Sequence, residues 1–372
     1  MRVPAAEGGQ CSMTKRHVSS AWLAGAVMLL LGTFAAQAQG TKSCHPDGKP
    51  TESEVVFNSS GGSYGDAIQK VFFTPFEQEC GIKVRHVNSQ RTYQQMRLYV
   101  QSANLPWDIG ATYSDQEFPL GIRDGILHKL PQEFWDSLKG EMIDGSYNEY
   151  GAWATPYSEL LVYSTKSTPQ GIKSWADFWD VKKFPGPRII ANRPFMLIGA
   201  LLADGVGPDK IYPLDMDRAF KKLDELRPSI RAFYAAPDQG VQGVANGEFV
   251  FGTTLSGRAV TAINSGQPIE MVWNGAILHN SWTFILKGTP HPRAAEALLY
   301  YMQNADRQAQ LALLTGYTGG NKNATKGLDP KVVRMLPATQ EHLSVASMVD
   351  AAWWADNNAK ATARWDAWVA QH

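Results

Sequence analysis

The sequence predicts an α/β fold, and two observations support this prediction. Short apolar segments of strand length alternate with segments of helical periodicity along most of the 372 residues. From residue 54 to residue 110 the order is strand, helix, strand, helix, strand. Because parallel strands need crossover helices between them, this order predicts a parallel sheet with helices on its faces.

The opening elements have clear boundaries. Glu54 to Asn58 reads as a short strand, and serines and glycines follow it at residues 59–63. Apolar spacing predicts a helix over residues 64–79, which Pro75 should kink or divide and Gly81 should end. The next predicted elements are a strand at 82–87, a helix at 92–103 and a strand at 107–110.

The same alternation continues to the C-terminus. Pro156 interrupts one of the segments predicted to be strand-rich. The predicted strands are 152–164, 188–191, 249–254, 269–273 and 282–286, and the predicted helices are 175–179, 194–203, 216–226, 293–303, 307–315 and 345–369.

Residues 1–38 are predicted to be a cleaved secretory signal peptide. A basic stretch at 15–17 precedes an apolar run at 21–34, and Ala36-Gln37-Ala38 fits the cleavage rule. The apolar run is shorter than the roughly 20 residues of a spanning helix, so cleavage is favoured over a retained anchor. We therefore expect a periplasmic chain that begins at Gln39 and does not insert into a membrane.

Composition excludes several other classes of function. The chain has 35 basic and 35 acidic residues and a formal net charge of zero, which gives no electrostatic reason to expect a nucleic-acid partner. Its length suits two domains. Its histidines follow no zinc motif and it has no nucleotide-binding glycine motif, so no metal or other cofactor is expected.

Two cysteines, Cys44 and Cys80, remain after cleavage of the signal peptide. In an oxidising compartment they can form one disulfide that ties the N-terminal tail to the end of the first helix. Two unpaired thiols are the alternative, and the sequence alone leaves both open.

Six segments in order resemble bacterial extracellular solute-binding proteins of the branch that contains receptors for polyamines and amino-acid-like ligands. The resemblance spans nearly the whole predicted mature chain. The segments are VVFNSSGGSYGDAIQKVFFTPFEQECGIKV from Val55, WDIGATYSD from Trp107, SWADFWD from Ser174, ANGEFVFG from Ala245 with SGQPIEMVW from Ser265, and HPRAAEALLYYMQNADRQAQL from His291.

The resemblance implies a two-lobe periplasmic binding protein fold of type II, with a hinge and a ligand cleft between the lobes. It also implies the role of substrate-binding subunit of an ABC importer, working with separate permease and ATPase subunits and not as an enzyme. The expected division is lobe one at residues 52–154 plus 276–316, and lobe two with the C-terminal helices at 155–275 plus 317–372.

Ligands of this fold sit where strands end and helices begin, which indicates two junctions. Ser59, Ser60 and Gly61 follow the first strand, and Ser256 begins the equivalent junction of lobe two. Small residues let the backbone approach a ligand, and hydroxyls add hydrogen-bonding groups. Helix capping by serine is the structural alternative.

Charge near these junctions favours an anion or a zwitterion. Arg193 and Arg258 stand close to places where polyamine receptors carry acidic residues and a tryptophan, and arginine pairs well with carboxylates. A solvated surface position is the alternative for each arginine. An amine on the ligand would need a carboxylate, for which Glu159 and Asp115 are the candidates.

The expected ligand is amino-acid-like, for example 4-aminobutyrate, and a polyamine such as putrescine or spermidine is the alternative. Tyr113, Trp273 and Trp282 are candidate aromatic walls for the ligand, although each residue type is also common in cores. A function of another class, a secreted serine hydrolase, would use Ser63, because residues 61–65 match the nucleophile-elbow pattern G-x-S-x-G. That fold requires several strands before the elbow, whereas here only one precedes it.

Overall fold

The structure is a computed structural model that describes residues 44–48, 52–89, 92–112 and 114–371. The predicted signal peptide lies outside these residues. Within the described part of the chain, none of the helices combines the length and apolarity needed to cross a membrane.

Ten strands form one mixed sheet, in the order β2-β1-β3-β9-β5-β8-β6-β7, with β4 paired to β5 and β10 paired to β9. The pairs β1–β2, β1–β3, β6–β7 and β6–β8 are parallel, as the alternation of strands and helices predicts. The strands are β1 (Glu54–Asn58), β2 (Lys83–Val87), β3 (Ile109–Ala111), β4 (Tyr147–Asn148), β5 (Gly151–Ser164), β6 (Arg188–Ala191), β7 (Ile230–Tyr234), β8 (Phe251–Leu255), β9 (Ile269–Ile285) and β10 (Ser347–Met348).

Helices flank both halves of the sheet. The α-helices are α1 (Gly62–Ile68), α2 (Thr74–Cys80), α3 (Tyr93–Gln101), α4 (Glu117–Arg123), α5 (Trp175–Trp179), α6 (Met196–Ala203), α7 (Met216–Leu226), α8 (Pro237–Ala245), α9 (Ser256–Asn264), α10 (Pro292–Tyr301), α11 (Ala305–Thr315), α12 (Pro330–Val333), α13 (Gln340–Leu343) and α14 (Ala351–Val369).

Two long antiparallel strands, β5 and β9, connect the two halves of the sheet. The strands β1 to β3 lie on one side of this pair, and β6 to β8 lie on the other. The register of the pair shifts between Trp153 and Pro156 and again between Glu159 and Leu161. Such irregularities bend a strand and increase its local twist. The pair is therefore bent where the chain passes from one half to the other.

The prediction of two separate strands at 269–273 and 282–286 is wrong, because β9 is continuous from Ile269 to Ile285. Asn274 and Gly275 interrupt the apolar pattern, and Gly275 adopts a left-handed backbone with φ of 73°. Pairing with β5 nevertheless continues beyond this point, for example between Tyr157 and His279. The sequence-based predictions also lack β4, β7, β10, α4, α8, α12 and α13, and the helix predicted over 345–369 begins only at Ala351, after β10.

The first helix is divided, as Pro75 predicts. A π-helical segment at Gln69–Phe73 separates α1 from α2, and Pro75 stands in the first turn of α2. The three segments run without a break, since Phe73 keeps a helical backbone, and because proline lacks a backbone N–H it removes one helical hydrogen bond at this point. Gly81 ends α2 with a left-handed φ of 69°, a conformation that glycine adopts without strain.

The apolar interior is divided between the two sides of the β5–β9 pair. One cluster packs β6, α6, α7, β8 and the C-terminal helix α14 together. A second cluster packs β1, the π-helical segment, α10 and α11. Two residues lie near the predicted lobe boundaries. Ile277, predicted to belong to lobe one, packs with the first cluster. Asn321, predicted to belong to lobe two, donates hydrogen bonds from its amide to Gln303 and Glu141 on the β1–β3 side. The residue limits of the lobes remain a prediction.

Cys44 and Cys80 form a disulfide, which settles the alternative left open by the sequence. The bridge ties the N-terminal tail to the last residue of α2. Next to it, the buried His45 hydrogen-bonds to Glu296 of α10, and His128 binds the other carboxylate oxygen. Burial alone would raise the pKa of Glu296, but the two histidines outweigh this effect and lower it to about 2.

We predict that replacing both cysteines by serine lowers the melting temperature by roughly 5 to 10 °C. A disulfide that spans 36 residues restricts the unfolded chain and contributes about 3 to 4 kcal/mol. Differential scanning calorimetry of the oxidised wild type, the reduced wild type and the double variant measures this effect. Finding two free thiols in the untreated wild type by mass spectrometry would contradict the bridge.

Candidate functional site

A cavity of about 510 Å³ lies between the start of α1 and the start of α9, so residues from both sides of the β5–β9 pair line it. Its lining is rich in hydroxyl groups. Among the described lining residues, Arg258 is the only charged one, and none is a carboxylate. The hydroxyl-bearing residues are Ser59, Ser60, Ser63, Tyr64, Thr112, Thr155, Tyr157, Thr261, Ser281, Thr283, Thr315 and Tyr317.

The junction after β1 supplies two of the predicted serines. Ser59 is buried, and its hydroxyl lies 2.7 Å from Nε2 of His86 and 3.0 Å from the carbonyl oxygen of Ser60. Ser60 also lines the cavity. Gly61 precedes α1, and a Cβ there would come within 2.8 Å of the Asn88 side chain. The glycine therefore permits close packing of the junction and does not itself line the cavity.

At the junction after β8, the two predicted residues, Ser256 and Arg258, have different roles. The hydroxyl of Ser256 is buried and accepts a hydrogen bond from the backbone N–H of Ser158 at 3.2 Å. Ser256 thus fastens α9 to β5. Arg258, in the first turn of α9, lines the cavity with a half-exposed side chain that lies 3.4 Å from Asp238. An exposed pair of this kind contributes little stability, so the guanidinium can exchange its partner at low cost.

Tyr157 of β5 lies between the cavity and a cluster of buried polar residues, Asp115, Glu159, Tyr234 and His279, which we call the Glu159 group. Its ring stacks on His279 at 4.9 Å. Burial raises the pKa of Tyr157 strongly, and the carboxylates of Asp115 and Glu159 raise it further, against the opposing charge of Arg193. The phenol therefore keeps its proton at neutral pH and is available as a hydrogen-bond donor.

The two predicted carboxylates lie in this buried group and do not line the cavity. Asp115 is fully engaged, since its oxygens lie 2.8 Å from Nδ1 of His279 and 3.0 Å from the backbone N–H of Asn280. Glu159 is completely buried and accepts one hydrogen bond, from Tyr234 at 3.2 Å. Its second oxygen, Oε2, has no hydrogen-bond partner. A buried carboxylate oxygen without a donor is costly, so this atom is a candidate contact for a ligand.

Arg193 follows β6 and is half-buried. Its charge lowers the pKa of both Tyr157 and Tyr234, which places it within electrostatic reach of both rings. In the part of the chain that the structure describes, its guanidinium has no ion-pair partner. Arg193 therefore lies within electrostatic reach of the two tyrosines near Glu159, whereas Arg258 lies in the cavity itself.

The predicted aromatic walls are placed elsewhere. Trp273 stacks on His342 at 4.1 Å and donates a hydrogen bond to the carbonyl oxygen of Arg334. Trp282 stacks on Phe118 at 4.2 Å. Since Ser281 and Thr283 line the cavity, strand alternation directs Trp282 to the opposite face of β9. Tyr113 lies outside the described residues.

Tyr157 and Tyr317 supply the aromatic lining instead, and sequence reasoning missed both. Tyr157 could have been found from the strand period, because it shares a face of β5 with Thr155 and Glu159. Tyr317 follows the glycine that ends α11, and its ring lies so close to Gly257 that a Cβ there would meet the phenol oxygen at 2.3 Å. Nothing in the sequence near residue 317 indicates this contact.

Ser63, the residue of the hydrolase alternative, also lines the cavity. It is the second residue of α1 and not the tip of a strand-to-helix turn. Among the described residues, the histidine at this junction is bonded to Ser59, and none is bonded to Ser63. The described site therefore offers Ser63 no general base.

Comparisons with known proteins agree with this architecture. The family model described as bacterial extracellular solute-binding protein matches residues 72–340. The gamma-aminobutyric acid-binding protein of Pseudomonas aeruginosa is 30% identical and covers 84% of this chain and 90% of its own length. The spermidine/putrescine-binding periplasmic protein of Escherichia coli is 24% identical and covers 69% of this chain and 76% of its own length.

Solved structures share the fold, which is the two-lobe fold of periplasmic binding proteins. An ABC transporter substrate-binding protein from Bradyrhizobium japonicum superposes with a TM-score of 0.75 at 31% identity, covering 85% of this chain and 99% of that one. A structure described as the Atu4243-GABA receptor superposes with a TM-score of 0.73 at 31% identity, covering 86% and 98%. This chain belongs to the family of bacterial extracellular solute-binding proteins.

Proposed function

We propose that this chain is the periplasmic substrate-binding subunit of an ABC importer and that it captures a small organic anion or zwitterion, such as 4-aminobutyrate, between its lobes. One observation carries the choice of ligand. The cavity between α1 and α9 presents one guanidinium, that of Arg258, and no carboxylate among its described lining residues.

This charge pattern suits a carboxylate better than a polyamine. The Arg258 side chain can bind a carboxylate with two parallel hydrogen bonds, and the surrounding hydroxyls can donate to the same group. A dication in this cavity would face the like charge of Arg258, and none of the described lining residues carries a carboxylate to bind it. The relatives that bind gamma-aminobutyric acid by name are also more similar to this chain than the polyamine-binding relatives are.

The amine end of a zwitterion has a candidate partner in Glu159. Its Oε2 is buried and lacks a donor, and an ammonium group would supply one. Tyr157, whose ring lines the cavity, lies within electrostatic reach of this carboxylate. A ligand that spans Arg258 and Glu159 would therefore place opposite charges at its two ends.

Closure of the lobes follows from where these residues lie. Ser60 belongs to the β1–β3 side, and Arg258 belongs to the β6–β8 side. A ligand that contacts both gains its full set of contacts only when the two lobes approach each other, so binding shifts the population toward the closed state. The closed form is then the one that a membrane-embedded permease and its ATPase would recognise.

We predict that Arg258→Gln weakens binding of 4-aminobutyrate by roughly ten- to a hundredfold, because a charge-assisted contact to the carboxylate is lost. Isothermal titration calorimetry of the purified mature protein measures the dissociation constant. Arg364→Gln is the control, since Arg364 of α14 forms an exposed ion pair with Asp217 of α7. The proposed ligand class would be contradicted if the wild type bound putrescine or spermidine but not 4-aminobutyrate. It would also be contradicted if Arg258→Gln bound 4-aminobutyrate with unchanged affinity.

Replacing the buried carboxylates of Glu159 and Glu296 should have opposite effects on ligand binding and on stability. Glu159→Gln should weaken 4-aminobutyrate binding at least tenfold without lowering the melting temperature of the ligand-free protein, because it removes a poorly compensated buried charge.

Glu296→Gln is the matched control for this variant. Both oxygens of Glu296 are bonded to histidines, and its pKa is lowered from 4.5 to about 2. The ionised form therefore stabilises the fold above about pH 4.5, and this contribution is lost as the pH falls toward 2. At pH 7 the control variant should melt earlier and bind normally. The reverse pattern in the two variants would show that Glu159 is structural.

A further inference from the structure

The C-terminal helix α14 carries four tryptophans, and two of them contact the loop that follows β6. Trp365 is buried, and its Nε1 donates a hydrogen bond of 2.8 Å to Oδ1 of Asn192. Trp354 is fully buried, and its ring lies 4.3 Å from that of Phe195. These contacts flank Arg193 in the sequence, so α14 supports the Arg193 loop, residues 192–195, from one side.

The other side of the Arg193 loop rests on β9. The ring of Phe195 meets His279 edge-on at 4.7 Å, and His279 is bonded to Asp115 at 2.8 Å. Phe195 is therefore held between α14 and the strand that joins the two lobes. Asp115 comes from the β1–β3 side, so the packing connects α14 to both lobes.

The loop itself gives Arg193 little support. The backbone N–H of Asn192 donates to the carbonyl oxygen of Tyr234 at 2.8 Å, and the Arg193 carbonyl accepts from Met196 at 3.2 Å. No described residue forms an ion pair with the guanidinium. The direction of the Arg193 side chain therefore depends on the loop conformation, which the two tryptophans and Phe195 fix.

We propose that Trp365 is a positioning residue for the ligand site: through Asn192 it holds the loop that carries Arg193 in its binding conformation. The inference rests on the proposed function in one respect, that Arg193 acts on the ligand or, through its charge, on the buried tyrosines near Glu159. Trp365 itself touches neither. It acts through a single hydrogen bond and through the volume of its ring.

Trp368 provides a matched control on the same helix. Its Nε1 also donates a hydrogen bond of 2.8 Å, but to Asp224 at the end of α7, and its ring packs against Arg227. Replacing either tryptophan by phenylalanine removes one indole donor and keeps most of the buried ring. The two rings also pack against each other at 5.3 Å, a contact that phenylalanine at either position can keep, and only Trp365→Phe removes the hydrogen bond to Asn192.

Hydrogen exchange of the ligand-free protein tests the positioning directly. We expect Trp365→Phe to accelerate exchange of peptides covering residues 191–196 by about three- to tenfold, because one hydrogen bond no longer restrains local opening. Trp368→Phe should leave these peptides unchanged. Equal exchange of this segment in both variants would overturn the proposal.

Calorimetric titration with 4-aminobutyrate provides the second measurement. Trp365→Phe and Asn192→Ala should each weaken binding by about three- to tenfold, whereas Trp368→Phe should not. Asn192 is exposed, so its replacement leaves the fold intact. If the two residues act through one contact, the double variant binds no more weakly than either single variant. Fully additive losses would contradict the positioning role.

The two measurements separate this inference from the proposed function. If the wild type fails to bind 4-aminobutyrate, the proposed ligand is wrong, and the exchange of residues 191–196 alone decides whether Trp365 holds the loop. If the wild type binds and Trp365→Phe binds equally well, the proposed ligand stands and the positioning role is wrong.

Discussion

The antiparallel pairing of β5 with β9 is the constraint on which the rest of the molecule depends. These two strands are the only long elements shared by both sides of the described sheet, and they carry Tyr157, Glu159 and His279 at the point where the chain passes between the lobes. The parallel strands on each side end toward this point, so Ser60 and Arg258 come to line one cavity although they are distant in sequence. The connection between the two sides of the sheet and part of the cavity lining are therefore built from the same strands.

The polar side chains buried near β5 and β9 differ in how many of their possible hydrogen bonds are formed. Asp115 has a partner for each oxygen, as has Glu296 in the N-terminal network, and both contribute to holding segments together. Glu159 and Asn280 each leave one buried oxygen without a donor. Folding alone does not favour such atoms, because each costs desolvation free energy. For Glu159, which shares a face of β5 with the cavity-lining Tyr157, the missing donor is understandable if a ligand provides it.

Local signals predicted most of the elements but only part of the site. Gly81 and Pro75 define helix boundaries through their own backbone chemistry, and the Ser–Gly junction after β1 was identified because strand and helix meet there. The continuity of β9 was missed, since pairing with β5 carries the strand past Asn274 and Gly275. Likewise, only the tertiary structure shows that Trp282 faces away from the cavity, that Glu159 is buried behind Tyr157, and that Tyr317 reaches Gly257.

The most direct test of this account is a crystal structure of the mature protein grown with 4-aminobutyrate. The account predicts closed lobes with the ligand carboxylate bound by Arg258 beside Ser60, and with the ammonium group directed toward Glu159. A structure in which Arg258 points into solvent while other residues hold the carboxylate, or in which the cavity between α1 and α9 contains no ligand at saturating concentration, would contradict it.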